Sequence, residues 1–241
     1  MVVVVKVRAT ADPEELVCLA ARGDYLDGPP WRLNFGDVMK GARGGPTTKD
    51  KMKALIKLLI VKGHWGPFEH PAITFGIEGM SRVTLAQLTR HRIATFDVQS
   101  ARIVNLTKLT FDQMVSPPSF SAAKVKSRKG GTKTISISSE ERARIVRELF
   151  SHEMEVYKTL VGNHVPQEDA RYVLSMAVPV HATMTVNARS LMHIIAIRSF
   201  GDAQWEIKSL ADQMLTIAKE WMPMTFGQFE TMMKTRDILG P

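Results

Sequence analysis

Cysteine is nearly absent: Cys18 is the single one in 241 residues. This excludes an intramolecular disulfide framework and a cysteine-rich zinc site, and it fits a reducing, cytoplasmic compartment. No apolar run approaches the roughly 20 residues that a membrane-spanning helix needs. The opening Met1-Val2-Val3-Val4-Val5-Lys6-Val7 is too short to span and is not followed by a small-residue cleavage site, so it reads as a strand and not as a signal peptide. Walker, G-x-S-x-G, H-E-x-x-H and Gly-rich dinucleotide fingerprints are all missing, and His70, His152, His164 and His181 have no metal-like spacing, so no metal is expected. Aromatic residues make up only 7% of the chain, too few to suggest a stacking platform for nucleic acid.

Acidic residues are the scarcer charge, 24 against 32 basic ones, for a net charge of +8 and a pI near 9.7. That balance points to an anionic partner without choosing among nucleotide, nucleic acid and acidic membrane surface. With 44% apolar side chains a sizeable packed core is expected. After the first strand, Asp12-Pro13-Glu14-Glu15 is an N-terminal helix signature, which places Cys18 among core formers as a packing residue. Residues 23 to 48 form a long irregular connection. Met52, Leu55, Ile56, Leu59 and Ile60 then have helical spacing up to Gly63, a good C-terminal stop. A strand is expected over 73–78 and a helix from Ser81 through Leu88 to His91, and the chain is expected to become extended after Arg102.

The basic stretch Lys124, Lys126, Arg128, Lys129, Lys133 has no apolar period and reads as a mobile loop within 122–134. Ser138 with Glu141 forms a capping box for a long helix carrying Ile145, Leu149, His152, Val156 and Leu160. Pro166 starts another helix, Val178 to Val186 reads as a strand, and helices follow at 188–197 and 205–221, with a short amphipathic tail after Pro223. Neither a repeat nor a dividing linker is visible. The expectation is one α+β domain over residues 1–241: a central, mostly antiparallel sheet packed by helices, with a helical region in the C-terminal half.

The densest polar constellation is Arg90-His91-Arg92-Ile93-Ala94-Thr95-Phe96-Asp97-Val98-Gln99-Ser100-Ala101-Arg102. On a helix, consecutive residues are about 100° apart, so the three basic side chains cannot share one solvated face. Placement at a helix C-terminus, where the dipole favours cations, is the bland explanation. Against it, Gln87 and Arg90 are i,i+3 neighbours able to share a ligand. An extended chain after Phe96 would also set Val98, Ser100 and Arg102 on one side, putting a hydroxyl beside a guanidinium as a phosphate requires.

This run, Arg-His-Arg followed by seven residues and a serine, resembles the signature of the flavin-dependent thymidylate synthases. Further blocks are similar to that family in the same order: Gly63-His64 with Pro67-Phe68-Glu69-His70, Thr74-Phe75, Asp169-Ala170-Arg171, Thr185 to Met192, and Ala203-Gln204-Trp205-Glu206. They span residues 63–206. The resemblance implies a ThyX-like fold and synthesis of dTMP from dUMP. The one-carbon unit would come from 5,10-methylenetetrahydrofolate and the hydride from reduced FAD, itself reduced by NADPH. All of these participants are anionic, which would account for the +8.

Carried over residue by residue, the resemblance makes Gly66, Arg90, His91, Arg92, Val98, Asn187, Ala188, Arg189 and His193 contacts of FAD. It makes Gln87, Leu88, Thr89, Arg90, Val98, Gln99, Ser100, Ala101, Arg102, Arg171 and Arg198 contacts of dUMP. His64 would stand near the reacting rings, and Arg198 would activate the pyrimidine, a role suited to a permanently charged guanidinium beside negative charge developing at N3. The resemblance also implies a homotetramer whose active sites are shared between subunits, with no specific nucleic acid or membrane partner. Independently of it, the cysteine-dependent route to thymidylate needs a nucleophilic thiol, and Cys18 is badly placed to be one.

Four positions depart from the family pattern. Val98 stands where glutamate or glutamine is usual, Ile103 where tyrosine is frequent, His193 where asparagine is frequent, and Asp97 where asparagine is common. Asp97 would need Arg92 or Arg102 as a partner. Alternative readings are a flavin-binding homologue with lost or altered activity, and a basic nucleic-acid-binding protein.

Overall fold

The computed structural model describes residues 2–126, 131–199 and 202–235. In chain order they form β1 (Val3–Ala9), α1 (Pro13–Gly23), α2 (Phe35–Val38), α3 (Thr48–Lys62), β2 (Ala72–Ser81), α4 (Arg82–Leu88), β3 (Thr95–Val98), β4 (Lys124–Lys126), β5 (Thr132–Thr134), α5 (Ser139–Gly162), α6 (Gln167–Ala170), β6 (Pro179–Asn187), α7 (Ala188–Arg198), α8 (Trp205–Trp221) and α9 (Pro223–Thr235), with short 3-10 turns between. The expected α+β class holds, with helices dominating the second half. No described helix is long and apolar enough to cross a membrane.

The chain divides into two compact units. One comprises Val2–Ile77, Gln87–Asp97 and the segment from Ala182 on; the other comprises Glu78–Ala86 and Val98–His181.

The first unit holds most of a four-stranded sheet in the order β1-β2-β6-β3. Period-two alternation decides which face is buried: Ile73, Phe75 and Ile77 of β2 point inward with Ala182, Met184 and Val186 of β6. The end of β1 meets the start of β2 through Thr10 N–H to the Ala72 carbonyl, 2.9 Å, which makes that pair antiparallel. On the inner face α8 packs against β1, α7 and α9, and α3 against α1 and α9. The outer face carries Val3, Val5 and Val7, each more than 40% exposed, and the bonded pair Thr74–Thr185.

β1 is an edge strand, and α8 covers its backbone. The Gln213 amide accepts from Val4 N–H at 3.1 Å and donates to the Val2 carbonyl at 3.1 Å, removing two groups that would otherwise template further strand pairing. Asp12 begins α1 as expected but in a left-handed conformation, φ 45°, with no side-chain cap bond. The first turn of α9 is instead served by a distant group: the buried Glu14 carboxylate accepts from Thr225 N–H at 2.7 Å. α3 ends at Gly63, φ 70°, a geometry that favours glycine.

The second unit is organised on α5, with Phe150, Met154, Tyr157 and Ala170 as its buried cluster. Ser138 caps this helix through Glu141 N–H, one half of the expected capping box; the Glu141 carboxylate pairs with Arg144 instead of reaching back. Of the apolar positions singled out from sequence, Leu160 packs against this cluster, but Ile145 is 45% and Leu149 56% exposed, because Phe150, Met154 and Tyr157 occupy the inward stripe. The expected mobile loop is also corrected in part. Its flanks pair as an antiparallel hairpin, Lys124 opposite Thr134 and Lys126 opposite Thr132. Thr132 and Thr134 are β-branched, which favours a strand even where charges remove any apolar alternation. Arg128, Lys129 and Gly130 lie outside the described residues.

Candidate functional site

In the first unit the constellation gathers at the two ends of α7. Asn187 caps its start, Oδ1 accepting from Ser190 N–H at 2.8 Å, so the amide nitrogen is the part of that side chain suited to a ligand. Arg189 pairs with Glu69 on the 3-10 turn Gly66–Glu69. Together Glu69, Ile93, Asn187, Arg189, Ser190 and His193 line a cavity of about 460 Å³. A guanidinium, an imidazole and an amide around a cavity of this size suit a ligand that is planar in one part and anionic in another.

At the other end of α7, Arg198 does not turn to its own helix carbonyls. Its Nε–H donates to His91 Nε2 at 3.0 Å and its Nη2 donates to the Gln87 carbonyl at 3.3 Å. Burial, then the charge of Arg90, holds Arg198 below the usual arginine range. His91 is buried, and burial followed by the Arg198 charge and His193 lowers its pKa to about 4. The His193 ring stands edge-on to His91, centroids 6.1 Å apart. The end of α7 is anchored to α8 by Ser199 Oγ to Asp212 and by Lys208 Nζ to the Ser199 carbonyl at 2.6 Å.

The helix expected to run to His91 stops at Leu88. Arg90, His91 and Arg92 follow in tight turns, His91 N–H to the Leu88 carbonyl and Ala94 N–H to the His91 carbonyl. The angular argument for three helical side chains therefore does not apply. The turn itself separates them, leaving Arg90 and Arg92 exposed and His91 buried. Leu88 and Ala188 are buried core side chains that can offer a ligand only backbone; Thr89 is exposed.

His64 and Gly66 follow the α3 stop. The left-handed Gly63 lets His64 N–H reach back to the Leu59 carbonyl at 2.9 Å, which fixes where the exposed His64 leaves the helix. A Cβ on Gly66 would meet nothing within 4 Å. No contact among the described residues demands glycine there, in keeping with a position that a ligand approaches closely.

In the second unit, Val98 ends β3 and the chain then turns instead of remaining extended. Gln99 N–H donates to the His181 carbonyl, Ser100 Oγ accepts from Arg102 N–H at 3.2 Å, and Val104 N–H closes on the Ser100 carbonyl. Ser100 is thus brought near Arg102 by a serine turn and not by strand alternation. Ala101 is buried, and Ile103 is 79% exposed. Arg102, one of the expected partners of Asp97, pairs instead with Glu168. Arg171 donates through Nε to the Glu168 carbonyl at 3.0 Å.

Arg82 was not singled out from the sequence. Burial and the charge of Arg171 both lower its pKa, so two guanidinium groups repel one another in this unit. Neighbouring cations that pair with no carboxylate among the described residues suit an anion. Its position after a strand and one residue past a cap, Ser81, was the available signal.

The family model described as thymidylate synthase complementing protein matches residues 6–224. The flavin-dependent thymidylate synthase of Halobacterium salinarum is 40% identical over 236 residues, 95% of each chain. That of Geobacter sulfurreducens is 35% identical over 221 residues, 90% of this chain and 82% of the other. Among solved structures, a UMP/dUMP methylase PolB from Streptomyces cacaoi bound with 5-Br dUMP superimposes with a TM-score of 0.75 at 25% identity, covering 96% of this chain and 95% of that one. With the Arg-His-Arg turn, the α7 cavity and these likenesses together, the chain belongs to the flavin-dependent thymidylate synthase family.

Proposed function

We propose that this protein is a single-domain thymidylate synthase that methylates dUMP to dTMP. 5,10-Methylenetetrahydrofolate is the one-carbon donor, FAD the bound flavin and NADPH the reductant. The observation that carries the reading is the meeting of two sequence blocks at Arg198: the guanidinium at the end of α7 is held by His91 and by the Gln87 carbonyl. The donors lining the α7 cavity, Asn187, Arg189 and His193, with Arg90 and Arg92 from the turn that precedes its Ile93, suit a flavin dinucleotide. Arg90, Arg92 and Arg189 suit its pyrophosphate, and Asn187 and His193 suit hydrogen bonds to its polar edges. Bound there and reduced by NADPH, the flavin would supply the hydride that completes the methyl group.

The chain's own groups do the rest. Arg198 stabilises negative charge on the uracil ring at N3, which lets C5 attack the folate methylene carbon. The C5 proton then leaves, and folate departs as tetrahydrofolate because the electrons come from the flavin. Arg102, Arg171 and Ser100 hold the nucleotide phosphate, Arg82 adding a further cation. Gln99 and the Val98–Ala101 backbone border the nucleotide, and the exposed His64 stands beside the rings. No enzyme thiol is needed. Cys18 is fully buried, and burial, then the charges of Glu14 and Glu15, pushes its thiol up to about 12.

The working form is a homotetramer, a reading supported by the uncovered valine face of β1. Soluble cytoplasmic placement is supported by the single reduced cysteine.

The test is release of tritium from C5 of dUMP by purified protein loaded with FAD and supplied with NADPH and methylenetetrahydrofolate. Arg198→Ala is expected to lower turnover by about 100- to 1,000-fold, to a small residual rate, while flavin stays bound. Failure of the wild-type protein to take up FAD overturns the reading.

A further inference from the structure

An arginine that must deliver positive charge to a substrate needs to be oriented without being neutralised. A carboxylate partner would hold it firmly but would offset the field it is there to supply. Arg198 is held differently. Both of its acceptors, His91 Nε2 at 3.0 Å and the Gln87 carbonyl at 3.3 Å, are uncharged, and no carboxylate pairs with it among the described residues.

A guanidinium has no lone pair to offer, so in this contact it can only donate. Nε2 of His91 must therefore be the bare nitrogen, with the ring neutral and its proton on Nδ1. Three features keep it so: the side chain is only 7% exposed, the Arg198 charge faces it, and the His193 ring abuts it edge-on at 78°. The same three disfavour the imidazolium, in which both nitrogens would be donors and the bond to Arg198 would be lost. His193, which takes the place of a frequent asparagine, thus supports the ring that supports Arg198.

We propose that His91 is the positioning residue of Arg198: its neutral Nδ1–H tautomer fixes the guanidinium plane, with the Gln87 carbonyl, so that the Nη1 edge is presented to the pyrimidine at full charge. The assignment rests on the reading of Arg198 as the group that activates the pyrimidine. It leaves His91 one nitrogen, Nδ1–H, with which to contact a flavin.

The tautomer is read directly by ¹⁵N NMR of histidine-labelled protein, without turnover. The expected spectrum between about pH 6 and 8 shows His91 neutral with Nδ1 protonated; an Nε2–H tautomer overturns the proposal. A wild-type protein that makes no dTMP would count against the enzymatic reading and leave this result standing by itself.

Kinetics supply the second arm, on the FAD-loaded enzyme. His91→Ala is expected to lower kcat by about 30- to 100-fold, with KM for dUMP changed less than about threefold. His91→Gln, whose Oε1 can reach the place of Nε2, should recover most of the loss. In an Arg198→Ala background His91→Ala should have no further effect on the residual rate. An equal loss in both backgrounds, or a Gln variant as poor as Ala, overturns the proposal. If the Ala variant does not fold, the Gln variant and the tautomer decide.

Discussion

The carboxylate of Glu14 in α1 accepts a hydrogen bond from the backbone N–H of Thr225 in α9 at 2.7 Å, across 211 residues of sequence. The bond serves one of the first-turn N–H groups that a helix cannot satisfy by itself.

Burial is the largest influence on Glu14 and raises its pKa, the Thr225 bond opposing only in part. A carboxyl whose folded pKa is raised destabilises the fold once ionised, so stability falls as pH rises from the ordinary carboxylate range through the raised value. Glu14→Gln keeps an acceptor for Thr225 and removes the charge. Its stability is expected to equal or exceed wild type near pH 8 and to lose that advantage in the carboxylate range. Glu14→Ala should cost about 1–3 kcal/mol by leaving the N–H unpaired. Thermal unfolding of the three proteins at both pH values tests this, and a Gln variant weaker than Ala would contradict it.

Cys18 should be silent. In the native protein a thiol reagent is expected to label it only at the rate of unfolding. Cys18→Ala should form dTMP at the wild-type rate and cost about 1–2 kcal/mol of stability through lost packing. A large loss of turnover without loss of stability would restore a thiol to the mechanism.

Arg82 and Arg171 should act on the phosphate. Either one changed to Gln is expected to weaken dUMP binding by about 10- to 100-fold while the flavin spectrum is unchanged. Deoxyuridine, which has no phosphate, should bind both variants as it binds wild type. An equal loss for nucleoside and nucleotide would move these residues elsewhere in the mechanism.

Val5 lies on the sheet face opposite the core, 42% exposed between Val3 and Val7. Val5→Lys should leave the secondary structure intact and shift sedimentation from the proposed tetramer to smaller species, with loss of turnover. A fully active tetramer carrying this change would place the subunit contacts on another surface.

Most elements were legible because periodicity and end signals agree locally. Gly63 stopped α3, Ser138 started α5, and the 205–221 helix was bounded by its own tryptophans. What misled was position within a turn. Arg90 to Arg92 continue a helical pattern in composition, but α4 is only seven residues long and the chain leaves it at Leu88. Along α5, apolar spacing named a face without saying which of two faces the rest of the unit would cover. The site was legible mainly through ordered blocks. The pairing of His91 with Arg198 joins residues 107 apart, and the repulsion of Arg82 by Arg171 likewise depends on tertiary structure. Neither leaves a local trace.

The clamp of Gln213 on β1 bears on how the chain is made. Val4 emerges from the ribosome some 200 residues before Gln213, at synthesis rates that make the gap one of about 10–40 seconds. The same holds for Thr10, whose carbonyl awaits the Trp221 indole, and for Glu14, which awaits Thr225. During that interval β1 has an open edge and a valine face with nothing over it, conditions under which strands find partners in other chains. Losses on overproduction are therefore expected to come from the nascent chain, and slower release or chaperone cover should raise the soluble yield even where the finished protein is unchanged.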